Sequence, residues 1–370
     1  MRRDNRRMTS SALPEDETTP RSTPLDDVRI RDIRPIISPA LLQYEMPAGQ
    51  AVQRSVMRWR QATADIVHGR DPRLLVVVGP CSIHDSDEAL EYARRLKAFA
   101  AEVQDELLLV MRVYFEKPRT TVGWKGFIND PRLDGSFRIN EGLRRSRQLL
   151  LDIAQMGLPA ATEFLDLLSP QYIADLVTWG AIGARTTESP SHRQLASGLS
   201  CPIGFKNGTD GGVQVAADAL VSVQSPHSFM GMTKMGQAAI FDTSGNSDCH
   251  VILRGGSRGP NYSAQDIDAA CAILRKAGVT ERVMVDCSHA NSRKDYRKQV
   301  EVADDLAAQM QAGERRVMGL MIESHLAEGN QKLEAGVALR PGVSITDACI
   351  GWDATQDVLR RLAKAARSPA

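Results

Sequence analysis

The sequence predicts an α/β fold, a (β/α)8 TIM barrel with an N-terminal arm and an inserted β-hairpin. Three observations point there. Eight short apolar runs cross the chain, and each leads into a residue able to do chemistry. The runs start mostly 21 to 33 residues apart, enough for one helix and two loops per unit. From Leu74 to about Ala366 the chain exceeds the roughly 250 residues that a closed barrel needs. Reactive endings on every run imply one shared face, because a barrel gathers its functional groups at the carboxyl ends of its strands. An open doubly wound sheet is the rival, but it concentrates ligand contacts at one switch point.

Residues 1–24 are rich in Ser, Thr, Pro, Asp and Glu and carry too few apolar side chains to offset ordering entropy, so a disordered tail is expected. Residues 25–73 are the expected arm. There Asp27–Ile33 alternates polar and apolar residues and predicts a strand. Ser38-Pro39 predicts the cap of a short helix, and Gln50–His68 a longer amphipathic helix stopping at Gly69. The barrel takes residues 74–370. Its runs are Leu74–Val78, leading to Gly79-Pro80-Cys81; Leu107–Val110, to Arg112 and Lys117; Pro159–Thr162, to Glu163; and Ala181–Ala184, to Arg185. The rest are Pro202–Phe205, to Lys206; His250–Leu253, to Arg254; Arg282–Asp286, to His289; and Val317–Ile322, to Glu323. Two intervals are longer. The second holds the polar loop Glu116–Asn140, and the fifth holds an extra β-hairpin at about 227–243. An arm strand and an exposed hairpin leave unpaired edges, which pairing within or between subunits would cover.

The formal net charge is +1, so no global field favours nucleic acid or an anionic membrane, and neither is an expected partner. No apolar run is long enough to span a bilayer, and the basic start is followed by no apolar signal region. The six cysteines show no paired spacing, which fits a reducing cytoplasm.

Anion binding must then be local. Arg112, Lys117, Arg119, Lys125, Arg185, Lys206 and Arg254 sit mostly just past strands. Any one of them is as readily an ion-pair partner on the rim. Seven together imply a ligand with a phosphate and a carboxylate, which guanidinium forks and ammonium groups suit. A second set, Cys81, His289, Glu323 and Asp347, lacks ligand spacing in sequence. A barrel closes its last strand on its first, however, and brings these ends together. Thiolate, imidazole and two carboxylates would suit one divalent Mn, Fe, Co, Cu or Zn ion. Singly, Cys81 reads more readily as a core thiol and His289 as a satisfied histidine. The loops at Gly208–Gly212 and Gly255-Gly256 either let backbone approach a phosphate or are ordinary turns.

Six segments together carry a family resemblance. They are Gly79-Pro80-Cys81-Ser82-Ile83-His84-Asp85, Glu116-Lys117-Pro118-Arg119-Thr120-Thr121-Val122-Gly123-Trp124-Lys125-Gly126, Gly183-Ala184-Arg185-Thr186-Thr187-Glu188-Ser189, Gly204-Phe205-Lys206-Asn207-Gly208-Thr209-Asp210-Gly211, Leu253-Arg254-Gly255-Gly256 and Ser288-His289-Ala290-Asn291. The chain resembles type I, microbial alpha-group 3-deoxy-D-arabino-heptulosonate 7-phosphate (DAHP) synthase over about residues 25–360. The resemblance implies condensation of phosphoenolpyruvate with erythrose 4-phosphate, releasing phosphate, as the first step of the shikimate pathway. It implies that Arg112, Lys117, Arg185, Lys206 and Arg254 hold phosphoenolpyruvate, and that Arg119 and Thr120 hold the sugar phosphate. It assigns Cys81, His289, Glu323 and Asp347 to the metal. Lys117, Glu163 and His289 are the expected catalytic groups, with Lys117 protonating an alkoxide and Glu163 steering water.

The arm and hairpin resemble the family's feedback site for aromatic amino acids. The matching positions are Asp26, Asp27, Asp166, Pro170, Gln171, Leu199, Ser200, Phe229 and Gly231. Phenylalanine-sensitive members typically carry Ser at the position of Gly231 and tyrosine-sensitive ones Gly, which implies a tyrosine effector. A homo-oligomer, dimer or tetramer, is also expected. Cys349, two residues past Asp347, is expected near Cys81, where oxidation would link the two. Other readings are a Schiff-base aldolase at Lys206, a non-catalytic aromatic amino-acid sensor, and the sibling enzyme acting on arabinose 5-phosphate.

Overall fold

A computed structural model describes residues 25–119, 123–334 and 336–367. The described residues up to Ile36 and those from Ile37 onward form two compact units. In the first, Asp26 Oδ1 accepts the Asp27 N–H at 2.9 Å and the Ile30 N–H donates to Asp27 O at 2.9 Å, with Asp27 at φ +57°. The segment Asp27–Ile33 is a turn followed by chain without regular secondary structure, not the expected strand. Alternation makes a segment two-faced, but a strand also needs a hydrogen-bonded neighbour, and the described residues of this unit supply none.

The second unit opens with α1 (Pro39–Glu45), capped by Ser38 as expected, and α2 (Gln50–Val67). Then follow β1 (Leu74–Gly79), α3 (Ser86–Val103), β2 (Leu107–Arg112), α4 (Ile139–Gln155), β3 (Ala160–Glu163), α5 (Pro170–Ile173), β4 (Trp179–Ile182), α6 (Pro190–Gly198), β5 (Ile203–Lys206) and α7 (Gln214–Val223). The hairpin β6 (Ser228–Met232) and β7 (Ala238–Asp242) precedes β8 (Cys249–Leu253), α8 (Ala264–Ala277), β9 (Val283–Asp286), α9 (Lys298–Gln311), β10 (Val317–Glu323) and α10 (Trp352–Ala366).

Eight strands close in the order β1-β10-β9-β8-β5-β4-β3-β2, every neighbour parallel, which rules out the open sheet. The strands are buried on both faces, so they are continuous apolar runs rather than alternating ones. Alternate residues divide the core. Leu75, Val77, Val110, Ala161, Trp179, Ile252 and Met321 belong to one packed cluster, while Val76, Val78, Leu109 and Met111 pack in a second with the helix faces. β4 begins two residues before the expected Ala181, because Trp179 and Gly180 interrupt the apolar pattern there. Arg147 of α4 is 1% exposed and ties three segments together. It donates to Met46 O and Tyr172 O at 2.9 Å each and pairs with Asp175 at 2.7 and 2.9 Å.

Candidate active site

The carboxyl ends of the barrel strands open on a cavity of about 610 Å³. Each end contributes for the same local reason: a strand buried on both faces must end where its first polar side chain can reach the mouth. Arg112, Glu163 and Lys206 close β2, β3 and β5, and Arg254 directly follows β8. The cavity is lined by Arg112, Lys117, Arg119, Glu163, Arg185, Lys206, Arg254, His289 and Asp347, all expected at the site. Lys125 is exposed and does not line it. Thr120 lies outside the described residues.

Below the cavity floor the charges are buried and paired. Arg112, 1% exposed, donates from Nη2 to Glu323 Oε1 at 3.0 Å and to Cys81 O at 3.2 Å. Its guanidinium sits 3.6 Å over the Tyr114 ring. Ser288 Oγ donates to Glu323 Oε2 at 2.7 Å. Burial alone would raise the Glu323 carboxyl, but Arg112, His289 and Lys117 bring it down to about 2. Burial, with Glu323 adding to it, pushes the Cys81 thiol up to about 11. Lys117 Nζ lies 3.1 Å from Cys81 Sγ. Burial works against the Lys117 charge, and Cys81 and Glu323 outweigh it and raise its pKa.

Cys81, Glu323 and Asp347 each bring a ligand atom within 4.8 Å of the others, and the Cys81 thiol reaches Asp347 Oδ2 at 3.5 Å. These donors fit a divalent cation. A thiol kept protonated by burial, with two carboxylates adding to it, is the arrangement a positive ion reverses, because it favours thiolate and carboxylate alike. His289 lines the same cavity but is not one of that trio. Its Nδ1 lies 2.9 Å from Asp286 Oδ2, and the residue adopts φ +56°. Cys349 and Cys81 are both free and buried.

Asp286 was not singled out by sequence. It is fully buried, and Lys206 Nζ donates to its Oδ2 at 2.9 Å. Burial raises its pKa, but His289 and Lys206 overcome that and hold the carboxyl well below its usual range. Glu163 depends on the neighbouring strand end: a Cβ on Gly183 would lie 2.5 Å from Glu163 Oε1. The glycine loops settle as turns. Gly208 N–H and Gly211 N–H bond within their own loop, and a Cβ on Gly256 would strike Gly211 N at 2.0 Å. The two loops use their bare backbones to pack on each other. Lys294, Tyr296 and Asn330 also line the cavity, and only Lys294 carries a charge that a reading of strand ends could have flagged.

A model described as the DAHP synthetase I family matches residues 50–360. The chain belongs to the DAHP synthetase I family. It is 57% identical over 93% of its length, and 98% of the relative's, to the Phe-sensitive phospho-2-dehydro-3-deoxyheptonate aldolase of Escherichia coli K12. The Tyr-sensitive one of Salmonella typhimurium is 54% identical over 92% of this chain and 96% of its own. A solved phospho-2-dehydro-3-deoxyheptonate aldolase of Francisella tularensis superposes with a TM-score of 0.90 at 51% identity, covering 92% of this chain and 99% of that one. This member of the DAHP synthetase I family is therefore an enzyme, and the resemblance read from its strand ends holds. No helix among its described residues is long and apolar enough to cross a membrane.

This family member has a second cavity, of about 960 Å³, between α2, α5, α6 and the hairpin. Pro170, Gln171, Leu199, Ser200, Phe229 and Gly231, six of the nine positions that the resemblance matches to a feedback site, line it. Sequence did not supply Met57 and Arg60 of α2, Asp175 or Lys234. Asp166 stops short of the wall. It is exposed, and its Oδ1 accepts the Leu168 N–H at 2.6 Å in the loop leading to α5. Asp26 and Asp27 lie in the other compact unit, where both are exposed. The hairpin pairs Gly231 with Ala239 and Phe229 with Phe241, whose rings stack at 5.9 Å.

Proposed function

We propose that this family member condenses phosphoenolpyruvate with erythrose 4-phosphate and water, giving 3-deoxy-D-arabino-heptulosonate 7-phosphate and inorganic phosphate, with a divalent metal at Cys81, His289, Glu323 and Asp347. The observation that carries the reading is one cavity lined by Arg185, Lys206, Arg254 and Asp347, with Cys81 and Glu323 buried within 4.8 Å of that aspartate. The cations take the phosphate and carboxylate of phosphoenolpyruvate, and Arg119 with Thr120 takes the sugar phosphate. A metal of the Mn, Fe, Co, Cu or Zn kind supplies a Lewis acid for a carbonyl oxygen. The chain's own groups do the rest. Lys117 delivers a proton to the alkoxide formed when the enol carbon adds to the aldehyde. Glu163, held against Gly183, steers water to the adjacent carbon, and phosphate leaves with its C–O bond broken.

The second cavity supports an aromatic amino-acid effector, and Gly231 favours tyrosine among them. A Cβ there would lie 2.7 Å from two Phe241 ring atoms, so a larger residue at 231 would displace that ring and reshape the wall against which a phenol would pack. Assembly into a homo-oligomer belongs to the same reading.

The test is loss of phosphoenolpyruvate on chelator-stripped protein, with and without erythrose 4-phosphate and Mn2+. Loss only with both present is the expected result. Metal-independent loss would instead require a Schiff base at Lys206, whose ammonium is paired with Asp286. No loss under any condition would leave an amino-acid sensor or a different sugar phosphate such as arabinose 5-phosphate.

A further inference from the structure

Asp286 closes β9 with no exposure to solvent. A carboxylate removed from water is strongly unfavourable unless cations and donors surround it. Its Oδ1 accepts the Ser288 N–H at 3.0 Å. Its Oδ2 meets two side-chain nitrogens at once, Lys206 Nζ at 2.9 Å and His289 Nδ1 at 2.9 Å. The lysine contact is a hydrogen bond, while His289 Nδ1 stands at contact distance without a hydrogen bond of good geometry. Lys206 comes from β5 and His289 follows β9, with β8 between them. One oxygen atom therefore joins a residue assigned to phosphoenolpyruvate to a residue assigned to the metal.

We propose that Asp286 is a positioning residue through which metal binding and phosphoenolpyruvate binding reinforce each other. The proposal rests on the function proposed above, in which His289 ligates the metal and Lys206 contacts phosphoenolpyruvate. With Nδ1 against Asp286, Nε2 is the nitrogen left for a metal. A carboxylate behind a ligating histidine fixes its tautomer and raises its basicity. A metal held by Nε2 would make Nδ1–H a stronger donor and bring it into line with Oδ2, which would loosen the hold of Oδ2 on Lys206. The freed ammonium then turns to the incoming anion. In the other direction, phosphoenolpyruvate draws Lys206 away and leaves Oδ2 to His289. Linkage requires the two effects to be equal in size.

The experiment titrates chelator-stripped protein with Mn2+ calorimetrically, with and without phosphoenolpyruvate, and then reverses the order. In the unaltered protein each ligand should tighten the other, by roughly 5- to 150-fold. Asp286→Asn keeps the size and removes the charge. Mn2+ affinity should fall by on the order of 10- to 100-fold, and the mutual tightening should disappear. Asn291→Ala cuts bonds to the backbone oxygens of Asp286 and Leu253 but leaves the carboxylate in place, so it reports a merely loosened loop. It should keep the mutual tightening. Lys206→Gln serves even if Asp286→Asn does not fold. It leaves Oδ2 to His289 alone and should tighten Mn2+ more than Arg185→Gln, which removes an exposed cation of the same cavity. Undiminished reinforcement in Asp286→Asn, or equal Mn2+ affinity in the Lys206 and Arg185 variants, overturns the proposal. Unaltered protein that binds neither ligand overturns the function on which it stands.

Discussion

Glu116 precedes Lys117 in the loop after β2, and its side chain is buried against the segment that leads into α5. Ser169 Oγ donates to its Oε2 at 2.9 Å. Burial, then the nearby Asp166 carboxylate, pushes the Glu116 carboxyl up to about 7, with the Ser169 hydroxyl and the backbone N–H groups of Leu165 and Asp166 opposing. The folded chain therefore keeps this proton at pH values where the unfolded chain has released it. Stability falls as pH rises from about 4.5 and levels off above about 7. A displacement of that size amounts to about 3 kcal/mol at its full extent. Glu116→Gln retains an acceptor for Ser169 and removes the titration. The variant should match the parent near pH 5 and exceed its stability by up to about 3 kcal/mol at pH 8.5. Urea midpoints taken at half-unit intervals from pH 5 to pH 9 decide it. Parallel curves for the two proteins would refute the reasoning, because Glu116 would then be charged in both states or in neither.

Cys81→Ala removes one of the three clustered donors, so Mn2+ affinity should fall by more than the roughly 10- to 100-fold that loss of a supporting group costs; equilibrium dialysis measures it, and unchanged affinity would remove Cys81 from the site. Gly183→Ala places a methyl 2.5 Å from Glu163 Oε1 and must push that carboxylate aside. A shift near 1 Å costs about 100-fold in rate, so kcat should drop while phosphoenolpyruvate affinity holds; a wild-type kcat would mean that Glu163 does not steer water. Gly231→Ser crowds Phe241 and should move the inhibition preference from tyrosine toward phenylalanine; identical inhibition curves would leave Gly231 serving only the hairpin backbone.

The barrel was legible in sequence for a reason specific to parallel strands. Strands covered on both faces are written as near-continuous apolar runs, and Leu74–Val78 and Val317–Ile322 are of this kind, the second carrying Met318, Gly319 and Met321. β4 was displaced because Trp179 and Gly180 break the pattern, and Ala181 to Ala184 supplied a substitute. The hairpin showed through a different signal, alternation, with Met230 and Ile240 exposed and Phe229 and Phe241 half-buried. The arm segment Asp27–Ile33 had the same alternation without a strand to pair with. Periodicity reports which faces differ. It does not report whether a hydrogen-bonding partner stands alongside.

The site followed a related rule. Cations at strand ends were legible because several charges rarely converge where buried strands stop without a ligand or ion pairs to hold them, and Arg112 both lines the cavity and pairs with Glu323. Asp286 ended its run as plainly as Lys206 ended another, yet His289 three residues later drew the attention. A single aspartate at a strand end looks like a solubilising cap. Only the fold shows that β5 and β9 stand either side of β8, so that one carboxylate oxygen meets both Lys206 and His289. Glu116 was hidden in the same way, inside a motif whose lysine and arginine explained it too easily. Both acids are buried, and a buried acid must have partners that the linear order does not name. Acids flanking an assigned cation at a barrel mouth are thus where a sequence reading should look next, and the Asp286 and Glu116 variants test that rule at two independent positions.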